Sequence, residues 1–345
     1  MKGAHRLSWL LDPDNPSSRY LTLTGLLGRT ASDQAVLAAR QAIRHWPPVR
    51  ALLDAQWPAG FWVGPGVGHS PKYKATIWQV VFLAALGAPR IEAIDRACAY
   101  VLDHARLQDG RFSAYAETPT APGHAAQGAT ACLNGSLLRA LSQLEYQDPR
   151  IGASQEALAH MVLSESFHCR FNVAGSPPAR MAGGQPCIWG AIKALGALAT
   201  VPRAQRTPTM QTAIATGVEF LLGTGQIDQD ARRLADGDYP LAGACNRAWH
   251  SFGFPPDDTS DLLEALQVLG TLGLGGEPQL EAAVAIVQHK QDRAGRWILD
   301  HTPANTWTQF GAIEEPNKWI TLRATQVLAR WHRREERTGE NSHSV

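Results

Sequence analysis

Apolar residues recur at helical spacing along most of the chain, and turn residues cut that pattern into short runs. Tyr73, Ile77, Val80, Val81 and Ala84 fall on one face and predict a helix over 72–87. Ser32 and Asp33 open a helix over 33–46; Pro47-Pro48 ends it and leads into a short one over 48–55. Pro89 starts a helix that runs to residue 105. Asp148-Pro149 opens one over 149–163 and Thr207-Pro208 one over 208–222. The same pattern gives helices over 130–145, 187–200, 259–273, 278–290 and 317–334, and no stretch reads as a strand. Residues 1–18 are polar and proline-spaced, which predicts an extended arm before a short apolar run, Tyr20 to Leu27. Segments 113–128, 164–186 and 223–248 read as irregular, and the charged tail 335–345 as disordered.

One phrase recurs where helices end: a glutamine, a glycine, one residue, then an aromatic. It occurs as Gln56-Trp57-Pro58-Ala59-Gly60-Phe61-Trp62, as the shorter Gln108-Asp109-Gly110-Arg111-Phe112, and as Gln291-Asp292-Arg293-Ala294-Gly295-Arg296-Trp297. Ser164-Glu165-Ser166-Phe167-His168-Cys169 reads as a degenerate copy. The glycine allows a sharp turn after a helix, and the aromatic packs back on the helix just finished. The phrase is thus architectural, and it marks an internal repeat built of helical hairpins.

The phrase resembles the Q-x-x-x-G-x-W repeat of squalene–hopene cyclases, oxidosqualene cyclases and proteins of the prenyltransferase fold. Further stretches are similar to a bacterial group of single-domain, squalene-cyclase-like proteins. They include Arg19-Tyr20-Leu21-Thr22-Leu23, Lys72-Tyr73-Lys74-Ala75-Thr76-Ile77-Trp78-Gln79, Cys132-Leu133-Asn134-Gly135, Phe252-Gly253-Phe254-Pro255 and Lys318-Trp319-Ile320-Thr321-Leu322-Arg323. The resemblance spans residues 19 to 330. It implies an all-α (α/α)6 toroid over 19–334, with an apolar central cavity suited to an isoprenoid or another apolar small molecule. Full-size cyclases enclose their substrate with a second helical domain, so the resemblance implies a smaller substrate here, or a homodimer.

Composition narrows the field. With 44% hydrophobic and 18% charged residues, this is a globular chain with a large core. Its net charge of +1 gives no bulk field to draw nucleic acid. No run reaches the roughly 18 apolar residues of a membrane span, which leaves peripheral membrane contact open. Five cysteines, an odd number, and no leader-like N-terminus predict reduced thiols and a cytoplasmic location.

The candidate chemistry begins at Pro255-Pro256-Asp257-Asp258-Thr259-Ser260, which resembles the D-x-D-D-T-A acid motif of class II terpene cyclases, with Pro255 in place of the first aspartate. The resemblance makes Asp257 the proton donor and Asp258 its partner, since close carboxyls titrate apart. The implied activity is protonation-initiated cyclisation or isomerisation of an isoprenoid. The competing reading takes Asp258-Thr259-Ser260-Asp261 as a helix N-terminus, where acids and hydroxyls satisfy free amides. His250 would orient Asp257 or act as a structural histidine. Trp249, Phe252 and Phe254, with Trp78 and Trp189, are candidates to line a pocket and stabilise cations; core packing is their other role. Lys72, Lys74 and Lys318 are candidates to hold a substrate anion, against ordinary surface ion pairs. Asp12 and Asp14 form an isolated D-x-D.

Cys132 and Cys187 fall at starts of predicted helices, and Cys169 closes the degenerate repeat. If these helices are neighbours in a ring, the three thiols share one end of it. They would then hold zinc with His168, His124 or Cys245, or stay unliganded, or supply a reactive thiol. A zinc-dependent, prenyltransferase-like transferase and a non-catalytic lipid- or peptide-binding toroid with structural zinc are therefore the alternatives to a cyclase. Trp62 and Trp297 read as architectural anchors, and Cys98 as a small core residue.

Overall fold

A computed structural model describes residues 2–120, 122–168, 186–223, 227 and 249–342. Among them the regular structure is helical, and the only extended pairings are isolated bridges. Side chains place the helix starts. Asn15, Asp33, Thr130, Asp148 and Thr207 each accept a hydrogen bond from a free amide of the turn that follows. Proline stands in the first turn at Pro16, Pro47, Pro149 and Pro208, where no amide hydrogen is needed.

The helices in chain order are α1 (Lys2–Leu10), α2 (Pro16–Gly25), α3 (Gln34–Ile43), α4 (Pro47–Asp54), α5 (Thr76–Ala85), α6 (Glu92–His104) and α7 (His124–Gln127). They continue with α8 (Ala131–Gln143), α9 (Pro149–Glu165), α10 (Ile188–Leu198), α11 (Pro208–Val218), α12 (Leu262–Thr271), α13 (Glu281–His289) and α14 (Lys318–Ser342). The N-terminal segment is therefore helical, not an extended arm. Ser18 Oγ bonds the Leu10 carbonyl, and Lys318 on α14 pairs with Asp12 at 2.8 Å, so the segment is tied to the last helix. The last helix continues to Ser342, through most of the tail expected to be disordered.

Packing alternates along the chain. Helix α5 packs on α8, α8 on α10, α10 on α12, α12 on α14, and α14 on α2. Helices α3, α6, α9, α11 and α13 each pack against one or two of those six. All six border one cavity, α2 through Thr24 and α5 through Val81, for example. Nearly every buried apolar residue belongs to one continuous core, with Trp62, Phe112, Trp249 and Trp297 among its members. No helix among the described residues is long and apolar enough to cross a membrane.

The recurring phrase forms one turn three times. Gly60, Gly110 and Gly295 have φ of 93°, 94° and 81°, a region that disfavours any side chain. Each glycine amide bonds back to residue i−3: Trp57, Leu107 and Asp292. The aromatic two residues on is buried, and its backbone amide bonds a polar side chain of a following helix: Thr76, Asn134 and Thr321. Trp62 and Trp297 also bond the carbonyls of Leu52 and Val287, both at 2.7 Å. Aligned on the glycine, Arg106 and not Gln108 occupies the place of Gln56 and Gln291. Arg106 bonds Ser154 on α9, whereas Gln56 bonds the Ala93 carbonyl on α6.

Candidate functional site

The cavity has a volume of about 280 Å³, and its wall mixes charged and polar side chains with apolar ones such as Leu21, Val81, Phe254, Trp319 and Leu322. Ser136, Arg139 and Gln143 line it from α8, Glu264, Gln267 and Thr271 from α12, and Arg323, Gln326 and Arg330 from α14. Each set is spaced three or four residues apart, so each is one face of its helix. Lys193 joins them from the middle of α10, where every other residue is apolar or glycine.

Lys193 is 2% exposed, and its ammonium lies 2.8 Å from Glu264 Oε2. Arg139 reaches Glu264 Oε1 at 3.2 Å. Burial pushes the Glu264 carboxyl up, but Lys193, Arg139 and Arg323 outweigh it and hold the group below its ordinary value. Burial also pulls the Arg139 guanidinium down. Arg323 bonds Gln267 Oε1, the Gly253 carbonyl and Asp261. The wall thus carries Arg139, Lys193, Arg323 and Arg330 against Glu264, with Asp261 behind it. The charged groups make it a mixed lining and not the wholly apolar one expected for an isoprenoid pocket.

The acidic turn sits beside this wall. Helix α12 starts at Leu262, and its cap is Asp261, which accepts from the Glu264 amide at 2.6 Å and the Gly253 amide at 3.0 Å. The helix N-terminus expected over 258–261 is therefore present, with Asp261 and not Asp257 or Asp258 as its cap. Asp257 is 8% exposed and accepts from the Thr259 amide and hydroxyl at 2.8 and 2.6 Å. Its other oxygen faces Tyr73 Oη at 3.5 Å and His301 Nε2 at 3.7 Å. Burial raises the Asp257 carboxyl, but His301, Thr259 and Lys193 bring it below its ordinary value. His301 is raised by Asp257, with burial opposing and Asp261 and Asp300 adding to the rise. The phenol of Tyr73 is raised by burial and by Asp257 and Asp258. Each of the two groups thus favours the charged form of the other.

His301 reaches Asp257 because its strand segment bridges in parallel with Gly253, and the Phe254 amide bonds the His301 carbonyl at 3.3 Å. A Cβ on Gly253 would fall 2.0 Å from His301 Cε1, so only glycine lets the ring lie there. His250 does not have this role. Its ionic neighbours are Lys290 and Asp300, and burial lowers its imidazole.

The other candidates are dispersed. Asp258 forms an exposed ion pair with Lys72 at 2.8 Å. Lys74 lies over the Trp307 ring and Lys318 pairs with Asp12, so the three lysines form no common anion site. Phe254 borders the cavity and stacks on Trp319, at 4.4 Å between ring centres. Trp78, Trp249 and Phe252 are buried in the core, and Trp189 is half-buried beside it.

Cys187 caps α10, its sulfur 3.4 Å from the Gly190 amide, and Cys132 Sγ lies 3.2 Å from Thr130 Oγ1 at the start of α8. Burial pushes the Cys98 thiol up to about 12, as suits a core residue. His124 stacks on Tyr115 and His168 Nδ1 bonds the Glu165 carbonyl. Cys169 and Cys245 lie outside the described residues, among which no cluster of three or more metal-ligating side chains occurs.

Sequence reasoning did not single out Lys193, Arg139, Glu264 or His301. Lys193 had a visible signal, one charge in an otherwise apolar helix, and Glu264 a similar one. His301 had none, because it is 44 residues from Asp257 in a loop. No family model matches the chain, and no curated protein matches it.

Proposed function

We propose that the helices form an α/α toroid with this cavity at its centre, and that the protein binds a small, polar, anionic molecule there. One observation carries the reading: four cationic side chains and one carboxylate share the wall of the 280 Å³ cavity. Such a wall is desolvated in part, so a ligand anion gains more from it than from the same charges in water. Ser136, Gln143 and Gln326 add neutral hydrogen-bonding groups for the rest of the ligand.

The isoprenoid-cyclase reading keeps one supporting observation, the burial of Asp257 in a turn that resembles an acid motif. Against it stands the state of that carboxyl. A cyclase acid is protonated before it meets an alkene, and His301 holds Asp257 ionised. The charged side chains in the wall are also poor neighbours for a hydrocarbon.

Isothermal titration calorimetry tests the reading with sulfate and inorganic diphosphate as anions and farnesol as a neutral apolar probe. The anions are expected to bind and farnesol not. Arg139→Gln removes one charge-assisted hydrogen bond while Lys193 still pairs with Glu264, so anion affinity should fall roughly 10- to 100-fold. Binding of farnesol without binding of either anion would overturn the anion reading in favour of an apolar ligand.

A further inference from the structure

A second void of about 20 Å³ adjoins the cavity; the two share Pro256, Glu264 and Arg323 on their walls. It has room for one water-sized molecule. Asp257 and His301 both border it. Buried polar atoms almost always have partners. On the wall of this void His301 Nδ1 has none among the described residues. The orphaned imidazole nitrogen, the room and the flanking acid and base describe a place for a polar occupant next to the ligand cavity.

The geometry points to a hydrolytic centre, in which Asp257 and His301 act on a water in the small void and on a carboxylic ester whose anionic group lies in the cavity. This rests on the anion-binding reading above. In the step, the water oxygen bonds the acyl carbon and gives a proton to the Asp257 carboxylate. The bond from acyl carbon to alkoxy oxygen breaks, and that oxygen takes a proton from the His301 imidazolium. The products are a carboxylic acid and an alcohol. Asp257 then carries a proton and His301 lacks one, and transfer between the facing groups, 3.7 Å apart, restores the starting state. No oxidant or second reactant is needed. The facing geometry of the two groups, with Asp257 lowered and His301 raised by each other, supports this division of roles, the carboxylate as base and the imidazolium as acid.

The test uses 4-nitrophenyl hydrogen succinate and phenyl hydrogen succinate, two esters with one free carboxylate, and sulfate titration alongside. Wild type should hydrolyse both. Asp257→Asn should lower kcat/KM on both by on the order of 100-fold. His301→Gln should lower the phenyl ester by on the order of 100-fold and the nitrophenyl ester by less than about tenfold, because nitrophenolate leaves without a proton. Both variants should bind sulfate within about threefold of wild type, which separates lost chemistry from lost folding. A wild type that binds sulfate and cleaves neither ester overturns the hydrolytic centre and leaves the cavity reading standing. Equal losses on both esters in His301→Gln overturn the acid role. A wild type that binds no sulfate sinks the cavity reading, and this proposal with it.

Discussion

The repeat turns and the acidic turn are built from the same materials and treat their polar atoms in opposite ways. At Gly60 and Gly295 the polar contacts close. The tryptophan that follows donates through both its backbone amide and its indole, to a threonine and to a carbonyl. At 253–261 the contacts do not close. Asp257 and Asp261 collect hydrogen bonds, while Ser260, His301 and Thr302 keep polar atoms without partners. Trp62 and Trp297 are buried, and so are Asp257, Ser260 and Asp261, so the burial of these groups does not explain the difference. A scaffold gains by leaving no polar atom unpaired, whereas a site must leave some for its ligand.

The sharpest way to break that comparison is to damage the scaffold. Trp297→Ala should cost about 3–5 kcal/mol of stability, since it removes a fully buried indole and its hydrogen bond. Urea unfolding would measure it. The folded fraction should bind sulfate as wild type does; a lost affinity would mean that scaffold and site are one unit.

A smaller effect is expected at Gly253→Ala, about 1–3 kcal/mol, as the new Cβ displaces His301. Here the pH profile is more telling than the magnitude. His301 is raised above its ordinary 6.5, so its contribution is fully present below that pH and is lost as pH rises through the folded-state value. Asp257 is lowered from 3.8, so its share is present above that pH and lost as pH falls through the folded-state value. The groups that act on His301 are Asp257, Asp261 and Asp300. Stability from this pair should thus be greatest between about pH 4 and 6.5 and decline on the alkaline side. Gly253→Ala should flatten the alkaline decline. An unchanged decline would assign it to another group.

The smallest effect is expected at Ser260→Ala. An orphaned buried hydroxyl is replaced by a methyl group, so stability should change by less than about 1 kcal/mol, and in the favourable direction. A loss above that, again by urea unfolding, would show that Ser260 has a structural partner after all, and the contrast with the repeat turns would weaken.

These regions were unequally legible in the sequence. The repeat turns were plain because glycine and aromatic act locally, although Arg106 in the glutamine's place emerged only from the fold. The helices were legible from caps and periodicity; the N-terminal helix was missed because its prolines and polar residues resemble those of a loop. The cavity wall was harder. Ser136, Arg139 and Gln143, or Arg323, Gln326 and Arg330, look like solvated faces in a linear reading. Only the packing of six helices around one void turns such faces inward. Asp257 was found through its neighbours in sequence, and His301 was not, since a parallel bridge to Gly253 carries no local signal.

The contact between α8 and α10 has a consequence for how this site can change over time. At Gly135 a Cβ would fall 2.3 Å from the carbonyl carbon of Lys193, so the two backbones touch. Any larger residue there would push α10 away and carry the Lys193 ammonium off Glu264. That side of the cavity is frozen. On the opposite side, a Cβ on Gly25 would meet the amide end of the Gln326 side chain at 2.5 Å, and a flexible side chain can yield. Drift toward a new ligand would therefore be expected to begin where α2 faces α14, with the charged half inherited unchanged.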